Sequence, residues 1–222
     1  FTRGSISDSK VGSIVFADTS NVDVDLVIDR SGSMAGTPIT LAMQAASQFV
    51  DYMHTGDKVG VVSFSSSVTT DYPLTTIVDD NTKSAAKTAI NAIVATGSTS
   101  IGGGLQRAQE QLTTLGDPNH PWAIVLLTDG YENYAPYVAT VLPAIVDSKT
   151  VVHTVGLGSA NQAQLLDIAT QTGGTYNYAP TPDQLAGIYS TISGAVSNQQ
   201  TLFEVTGDFD AEGFTEVKEV VV

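Results

Sequence analysis

The feature that most constrains this chain is a set of short apolar runs that barely alternate with polar residues: Leu26-Val-Ile28, Val59-Gly-Val-Val62, Trp122-Ala-Ile-Val-Leu-Leu127 and the run inside Lys149 to Val155. A strand wetted on one face alternates apolar and polar residues, so a run that is apolar throughout needs cover on both faces. The cover is written between the runs. Thr37-Pro38 opens a helix, with Thr as N-cap and Pro in the first turn, that carries Ile39, Leu41, Ala42, Ala45, Ala46, Phe49, Val50 and Met53 to about His54. Further helices are predicted from Asp79-Asp80 to Ala95, Ile101 to Leu115, Pro136 to Val146, Asn161 to Thr172 and Thr181 to Asn198. Strand and helix therefore alternate. That order predicts an α/β fold: a doubly wound, Rossmann-like, mainly parallel sheet with right-handed crossovers and helices on both faces. Ligand sites in such folds lie beyond the C-terminal ends of the strands, near a topological switch point. Ser67 to Thr70 with Leu74-Thr75, around Asp71-Tyr-Pro73, reads as a short antiparallel edge hairpin, and Thr175 to Tyr178 as the last sheet strand.

The ends of the chain break the pattern. Gly12 to Ala17, Thr201 to Val205 and Phe214 to Val222 are strand-like but have no helices between them. The expected organisation is a domain over 22–198, with 1–21 and 199–222 as flanking strands that pair with one another as a small β appendage or form the stump of an adjacent β domain. The last connection contains Asp208-x-Asp210-x-Glu212-Gly213 and then Glu219, the spacing of an EF-hand calcium loop except for Glu at its fifth position. An EF-hand needs helices on both sides, whereas these flanks are β-branched, which favours an acidic hairpin turn.

Composition excludes several functions. At 222 residues with 42% hydrophobic side chains, the chain can bury a sizeable core. Its 9 Lys and Arg against 23 Asp and Glu give a net charge of −14, which provides no basic footprint for nucleic acid or an anionic membrane surface. The absence of cysteine excludes disulfides, zinc thiolates and cysteine nucleophiles, and leaves both an extracellular and a reducing cytosolic setting open. No apolar run reaches the ~20 residues of a membrane helix. Phe1 is not an initiator, so the sequence reads as a piece of a longer protein.

One run ends differently from the others. Val24 to Met34 reads Val-Asp-Leu-Val-Ile-Asp-Arg-Ser-Gly-Ser-Met, an apolar strand stopping at Asp29-x-Ser31-x-Ser33. A carboxylate and two hydroxyls at a strand tip are hard oxygen ligands, suited to Mg2+, which takes about six oxygens near 2.1 Å and usually keeps some water. Thr96-Gly-Ser-Thr99-Ser-Ile-Gly102 and Leu126-Leu-Thr-Asp129-Gly130 fall in loops at the same sheet edge and supply more oxygens. A lone Asp-x-Ser-x-Ser also describes a capped turn without metal; three such segments in this order are far more specific. Together they resemble the metal-ion-dependent adhesion site of the von Willebrand factor A domain family, over roughly Val22 to Asn198.

The resemblance implies that Asp29, Ser31, Ser33, Thr99 and Asp129 hold a divalent metal, Mg2+ with Mn2+ or Ca2+ as substitutes, and that a protein ligand presenting a Glu or Asp completes the shell. It also implies a binding module rather than an enzyme, and extracellular or cell-surface placement with cytoplasmic placement as the alternative. The runner-up function is an intracellular assembly subunit docking onto an AAA-type ATPase or chelatase-like complex. Within the family, Ser-Gly-Ser-Met-Ala-Gly, Gly-Ser-Thr-Ser-Ile-Gly-Gly-Gly-Leu and Ile-Val-Leu-Leu-Thr-Asp-Gly-Tyr-Glu-Asn are most similar to the calcium-activated chloride channel regulator type. Tyr131, Glu132, Asn133 and Tyr134, just after the last metal segment, are expected to form a partner-binding rim. Other chemistry is thin. His54, His120 and His153 have no partner at ligand spacing, Gly156-x-Gly158 lacks the third glycine of a dinucleotide fingerprint, and Gly-x-Ser-x-Gly is absent. Gly102-Gly-Gly104 lacks the Lys-Ser/Thr of a phosphate loop and is expected to permit close packing of a helix start.

Overall fold

The structure, a computed structural model, describes the backbone of residues 10–17, 21–179, 202–210 and 213–221, and side chains over 21–179. The predicted closing helix at 181–198 lies outside the described residues. Two compact units are present, one built on residues 21–179 and the other on the terminal strands.

The larger unit is a six-stranded sheet in the order β4-β3-β2-β5-β6-β7. Its strands are β2 (Asp23–Asp29), β3 (Lys58–Phe64), β4 (Val68–Thr76), β5 (Trp122–Thr128), β6 (Val151–Leu157) and β7 (Tyr176–Ala179). All neighbours run parallel except β3 and β4. The connections are α1 (Thr37–Tyr52), α2 (Asp80–Asn91), α3 (Ile101–Leu115), α4 (Val138–Asp147) and α5 (Gln162–Thr172). Side-chain alternation along β2 sorts its residues between two cores. Val24, Leu26 and Ile28 pack with Ala42, Ala46, Phe49 and Val50 of α1 and Ile90 of α2. Val27 packs on the other face with Leu105, Ala108 and Leu112 of α3 and Ile145 of α4. Both faces of β2 are covered, which is why its run shows no wet face.

The chain leaves β2 to one side, through α1 to β3, and later enters β5 on the other side, so the order in which strands are added reverses between the parallel neighbours β2 and β5. The C-terminal ends of these two strands carry Asp29 and the Thr128-Asp129 step. The predicted ligand edge and the switch point thus coincide.

Two local readings differ from expectation. The edge hairpin around Pro73 is one continuous strand, β4, whose register against β3 shifts between Val59 and Val62. Proline has no N–H for the ladder, and Leu74, set free by the irregularity, donates its N–H to Gln111 Oε1 of α3 at 3.0 Å. α2 closes at Asn91, so 92–100 is a longer loop than the pattern indicated. Among the described residues no helix is long and apolar enough to cross a membrane.

In the second unit, β1 (Lys10–Ala17), β8 (Leu202–Asp210) and β9 (Gly213–Val221) form a three-stranded antiparallel sheet in the order β1-β8-β9. Asp208 and Asp210 lie in β8 and Glu219 in β9, so the EF-hand-like spacing sits on a β hairpin rather than between helices.

Candidate metal centre

The centre is assembled from the ends of β2 and β5 and the loop before α3. Asp29 is fully buried at the tip of β2. Its Oδ1 accepts the Ser31 N–H at 2.7 Å, an Asx-type bond that turns the chain sharply after the strand. A single 3-10 turn, Gly32–Met34, follows, and the buried Met34 side chain anchors it in the core. The turn brings Ser31 Oγ within 3.1 Å of Ser33 Oγ. Ser33 Oγ then donates to Asp129 Oδ1 at 2.6 Å. Through the Ser31 backbone N–H and the two serine hydroxyls, hydrogen bonds thereby link two carboxylates that are 100 residues apart in sequence.

The loop at 92–100 is tied to this turn by backbone. Thr96 N–H donates to Arg30 O at 2.6 Å and Gly32 N–H to Gly97 O at 3.0 Å. Gly97 has φ +85, and a Cβ there would meet Ser66 Oγ at 2.8 Å, so both its conformation and its surroundings require glycine. Thr99 is buried, and its Oγ1 lies 3.6 Å from where a Cβ on Gly130 would sit, placing the hydroxyl beside the Asp129-Gly130 step. All five sequence-predicted oxygen residues are brought to this one edge, with Asp29, Ser31 and Thr99 buried, Asp129 half-buried and Ser33 exposed. The geometry is a sunken base with an open lip.

Burial is the dominant electrostatic fact. It pushes the Asp29 carboxyl up to about 6, against hydrogen bonds from Thr128 and Ser31 that pull down; the Asp129 charge is the smallest contribution. Asp129 is also raised by burial, with the Ser33 bond opposing. Among the described residues no basic side chain pairs with either carboxylate. Arg30, next in sequence to Asp29, turns toward β3 and β4, donating from Nε to Ser63 Oγ at 3.1 Å and from Nη2 to Ser67 Oγ at 2.9 Å. Two carboxylates and three hydroxyls, with no nitrogen or sulfur, form a donor set that fits a hard divalent cation. Among the described residues there is no cluster of three or more His, Cys, Asp or Glu, so a metal here must rely on the hydroxyls.

The four residues assigned to the rim divide into two kinds. Tyr131 and Tyr134 are 63% and 48% exposed. Glu132, half-buried, and Asn133, exposed, instead spend their side chains on hydrogen bonds that hold the site together. Glu132 Oε1 accepts the Gly102 N–H at 2.8 Å, both its carboxylate oxygens accept the Val138 N–H at 3.0 Å, and Oε2 accepts Gln164 Nε2 at 3.3 Å. One carboxylate thus caps the first turns of α3 and α4 and touches α5. Asn133 clamps Thr99 from both sides: its Oδ1 accepts the Thr99 N–H at 2.9 Å, and its own N–H donates to Thr99 O at 2.9 Å.

Thr128 is a residue the sequence reading did not place in the site. Its hydroxyl donates to Asp29 Oδ2 at 2.5 Å and accepts the Gly130 N–H at 3.2 Å, so it fixes the carboxylate rotamer and the next turn together. The available signal was a polar residue closing an otherwise apolar strand. Gly104 lies against the core beneath the loops, where a Cβ would come within 2.6 Å of Phe64 Cδ1. His153 is buried on β6 with Nδ1 2.9 Å from Thr175 Oγ1, and burial alone lowers it to about 4, so it is a neutral core residue. His120 pairs with Asp23 at 2.7 Å, at the opposite end of the sheet from the centre.

Comparison with known proteins is consistent with this arrangement. The family model described as von Willebrand factor type A domain matches residues 23–191. Calcium-activated chloride channel regulator 1 of Equus caballus is 33% identical over 181 residues, covering 79% of this chain and 19% of that protein. The chain spans about a fifth of the length of such relatives. Among solved structures, von Willebrand factor type A from Catenulispora acidiphila superposes with a TM-score of 0.73 at 24% identity, covering 86% of this chain and 46% of that one. Proximal thread matrix protein 1 from the mussel byssus, described with a zinc-occupied MIDAS motif, superposes with a TM-score of 0.70 at 21% identity, covering 83% of this chain and 48% of that one. At these identities the structural likeness establishes the fold.

Proposed function

Because the chain belongs to the von Willebrand factor type A domain family, we propose that it is a divalent-metal-dependent adhesion or protein-binding module whose metal is held by Asp29, Ser31, Ser33, Thr99 and Asp129. The observation that carries this reading is the hydrogen-bonded chain Asp29–Ser31–Ser33–Asp129, which gathers two carboxylates and two serine hydroxyls with the Thr99 hydroxyl beside them. Mg2+ is the metal we assign, with Mn2+ or Ca2+ able to substitute, because every donor is a hard oxygen. When bound, the ion supplies positive charge and an exchangeable position at the open lip, both of which attract a carboxylate.

The chain's own residues do the rest. Thr128 and the Ser31 N–H orient Asp29, Asn133 fixes Thr99, and the half-buried Asp129 and exposed Ser33 leave the outer side accessible to a Glu or Asp of a protein ligand. The site binds and does not catalyse. Extracellular or cell-surface placement accompanies this reading, supported by the likeness to calcium-activated chloride channel regulators.

The test is a crystal of the protein soaked with Mn2+ and acetate, acetate standing for the partner carboxylate. An anomalous peak among Ser31, Ser33 and Thr99, with acetate density against it, is the expected result. Anomalous peaks only elsewhere on the molecule would overturn the assignment.

A further inference from the structure

The described loops around the centre are 30–36, 65–67, 92–100, 129–137 and 158–161, and apart from Asp29 and Asp129 they hold two charged side chains, Arg30 and Glu132. Both are occupied internally. Arg30 is bound to Ser63 and Ser67, and Glu132 to the Gly102 and Val138 amides and to Gln164. The acidic residues behind the net charge of −14 include Asp51, Asp117 and Asp147, which sit at or just beyond the C-terminal ends of α1, α3 and α4, at the far end of the sheet. With a screening length of about 8 Å at physiological salt, charges at that end contribute little to what the metal face meets.

The face itself presents Ser33, Ser66, Ser67, Thr96 and Gly97 on one side, all exposed. On the other, Tyr131, Tyr134 and Tyr137 are 63%, 48% and 50% exposed. These tyrosines stand on pinned backbone. Tyr134 N–H donates to Thr99 O at 3.1 Å, Gly130 N–H just before Tyr131 is held by Thr128, and Val138 N–H just after Tyr137 is held by Glu132. Tyrosine gives large contact area for few rotatable bonds, and serine and glycine give adaptable hydrogen bonding; that combination is used by surfaces that recognise protein epitopes without relying on charge. A loop already ordered before binding loses less entropy on association.

We infer that the partner's metal-binding acid is set in an uncharged, apolar or aromatic stretch of protein that packs on Tyr131, Tyr134 and Tyr137, and not in a basic segment. This rests on the reading of the centre as a metal-dependent binding site. Among the described residues the rim's one acid outside the metal set, Glu132, is turned onto the Gly102 and Val138 amides and Gln164 and not outward, so burying the partner's cations against the rim would desolvate them without compensation. Specificity then comes from aromatic packing around a single metal-bound carboxylate.

The experiment is to pan a random twelve-residue peptide display library on the whole chain in Mg2+ and elute with chelator, measuring Mn2+ affinity alongside. Eluted peptides are expected to carry one Asp or Glu with uncharged flanks and to change affinity by less than about threefold between 50 and 500 mM NaCl. Tyr131→Ala, Tyr134→Ala and Tyr137→Ala should each weaken those peptides by about fivefold or more at unchanged Mn2+ affinity, while the Phe variants stay close to wild type. Basic flanks with steep salt dependence, tyrosine variants that bind as wild type, or no chelator-eluted peptides from a protein that binds Mn2+ would each overturn the inference alone. Failure to bind Mn2+ would overturn the metal site and the inference with it.

Discussion

Glu132 is the residue whose removal should do most damage for least obvious reason, since it contacts no part of the proposed metal shell. Its carboxylate accepts from the Gly102 N–H at 2.8 Å, the Val138 N–H at 3.0 Å and Gln164 Nε2 at 3.3 Å. Hydrogen bonds to a charged group contribute about 1.5–3 kcal/mol each, at the low end where water can partly replace them, and losing a cap costs about 1 kcal/mol per helix. Because the side chain is half-buried and the 3.3 Å bond is weak, Glu132→Ala should cost about 2–4 kcal/mol in total. For a domain of this size that lowers the melting temperature by about 5–15 °C. Glu132→Gln keeps an acceptor but no charge, and should lose about 1 kcal/mol. Thermal melting in chelator measures the stability, and amide exchange at Gly102 and Val138 reports the caps directly. An Ala variant that melts within a degree of wild type with both amides still protected would refute this role.

Other consequences follow from buried groups. Asp25 is fully buried, Oδ2 accepts from Gln111 Nε2 at 2.9 Å, and Oδ1 has no partner. Burial raises the pKa of its carboxyl well above the usual carboxylate range, against the Gln111 hydrogen bond that pulls down, so its contribution to stability is complete below about pH 4 and is lost as pH rises. Asp25→Asn should therefore be more stable than wild type at pH 7, with the gain vanishing near pH 4 in denaturant titrations. His153 is shifted the opposite way, down to about 4, so its contribution is present above about pH 6.5 and lost as pH falls toward 4. His153→Gln should remove about 3 kcal/mol of acid sensitivity across that window; an unchanged slope would place the titration elsewhere. Gly104→Ala should destabilise by about 1–2 kcal/mol in urea despite the helix propensity of alanine, because its Cβ would lie 2.6 Å from Phe64 and 2.9 Å from Val27.

The alternation of apolar runs with amphipathic segments made the wound sheet legible, because two-sided burial leaves no other pattern on a strand such as Trp122–Thr128. The candidate oxygen residues stood out for a related reason: the polar triplet Asp29-x-Ser31-x-Ser33 breaks off the apolar run of a buried strand, and the turn bond from Ser31 N–H to Asp29 leaves the two serine hydroxyls unexplained by local structure. What stayed hidden depends on contacts distant in sequence. Glu132 and Asn133 read as rim residues because they adjoin two tyrosines, and nothing local shows that their side chains reach Gly102, Val138 and Thr99. Asp25 and Gln111 are 86 residues apart, so their buried bond leaves no spacing to read. The continuous β4 was obscured by Pro73, whose missing N–H suggested a break where Gln111 in fact bonds the following residue.

The central claim, that a divalent cation joins the ends of β2 and β5, is tested most directly by melting the wild type and Asp29→Asn with and without metal. A hundredfold excess of Mg2+ over its dissociation constant stabilises a protein that binds it only when folded by about 2.7 kcal/mol, or about 5–10 °C at this size. Wild type should show that rise with Mg2+ or Mn2+ and lose it in chelator, while Asp29→Asn should melt at one temperature throughout. A wild type whose melting is indifferent to Mg2+, Mn2+ and Ca2+ alike would contradict the account and leave Asp29, Ser31 and Ser33 as a hydrogen-bonded turn.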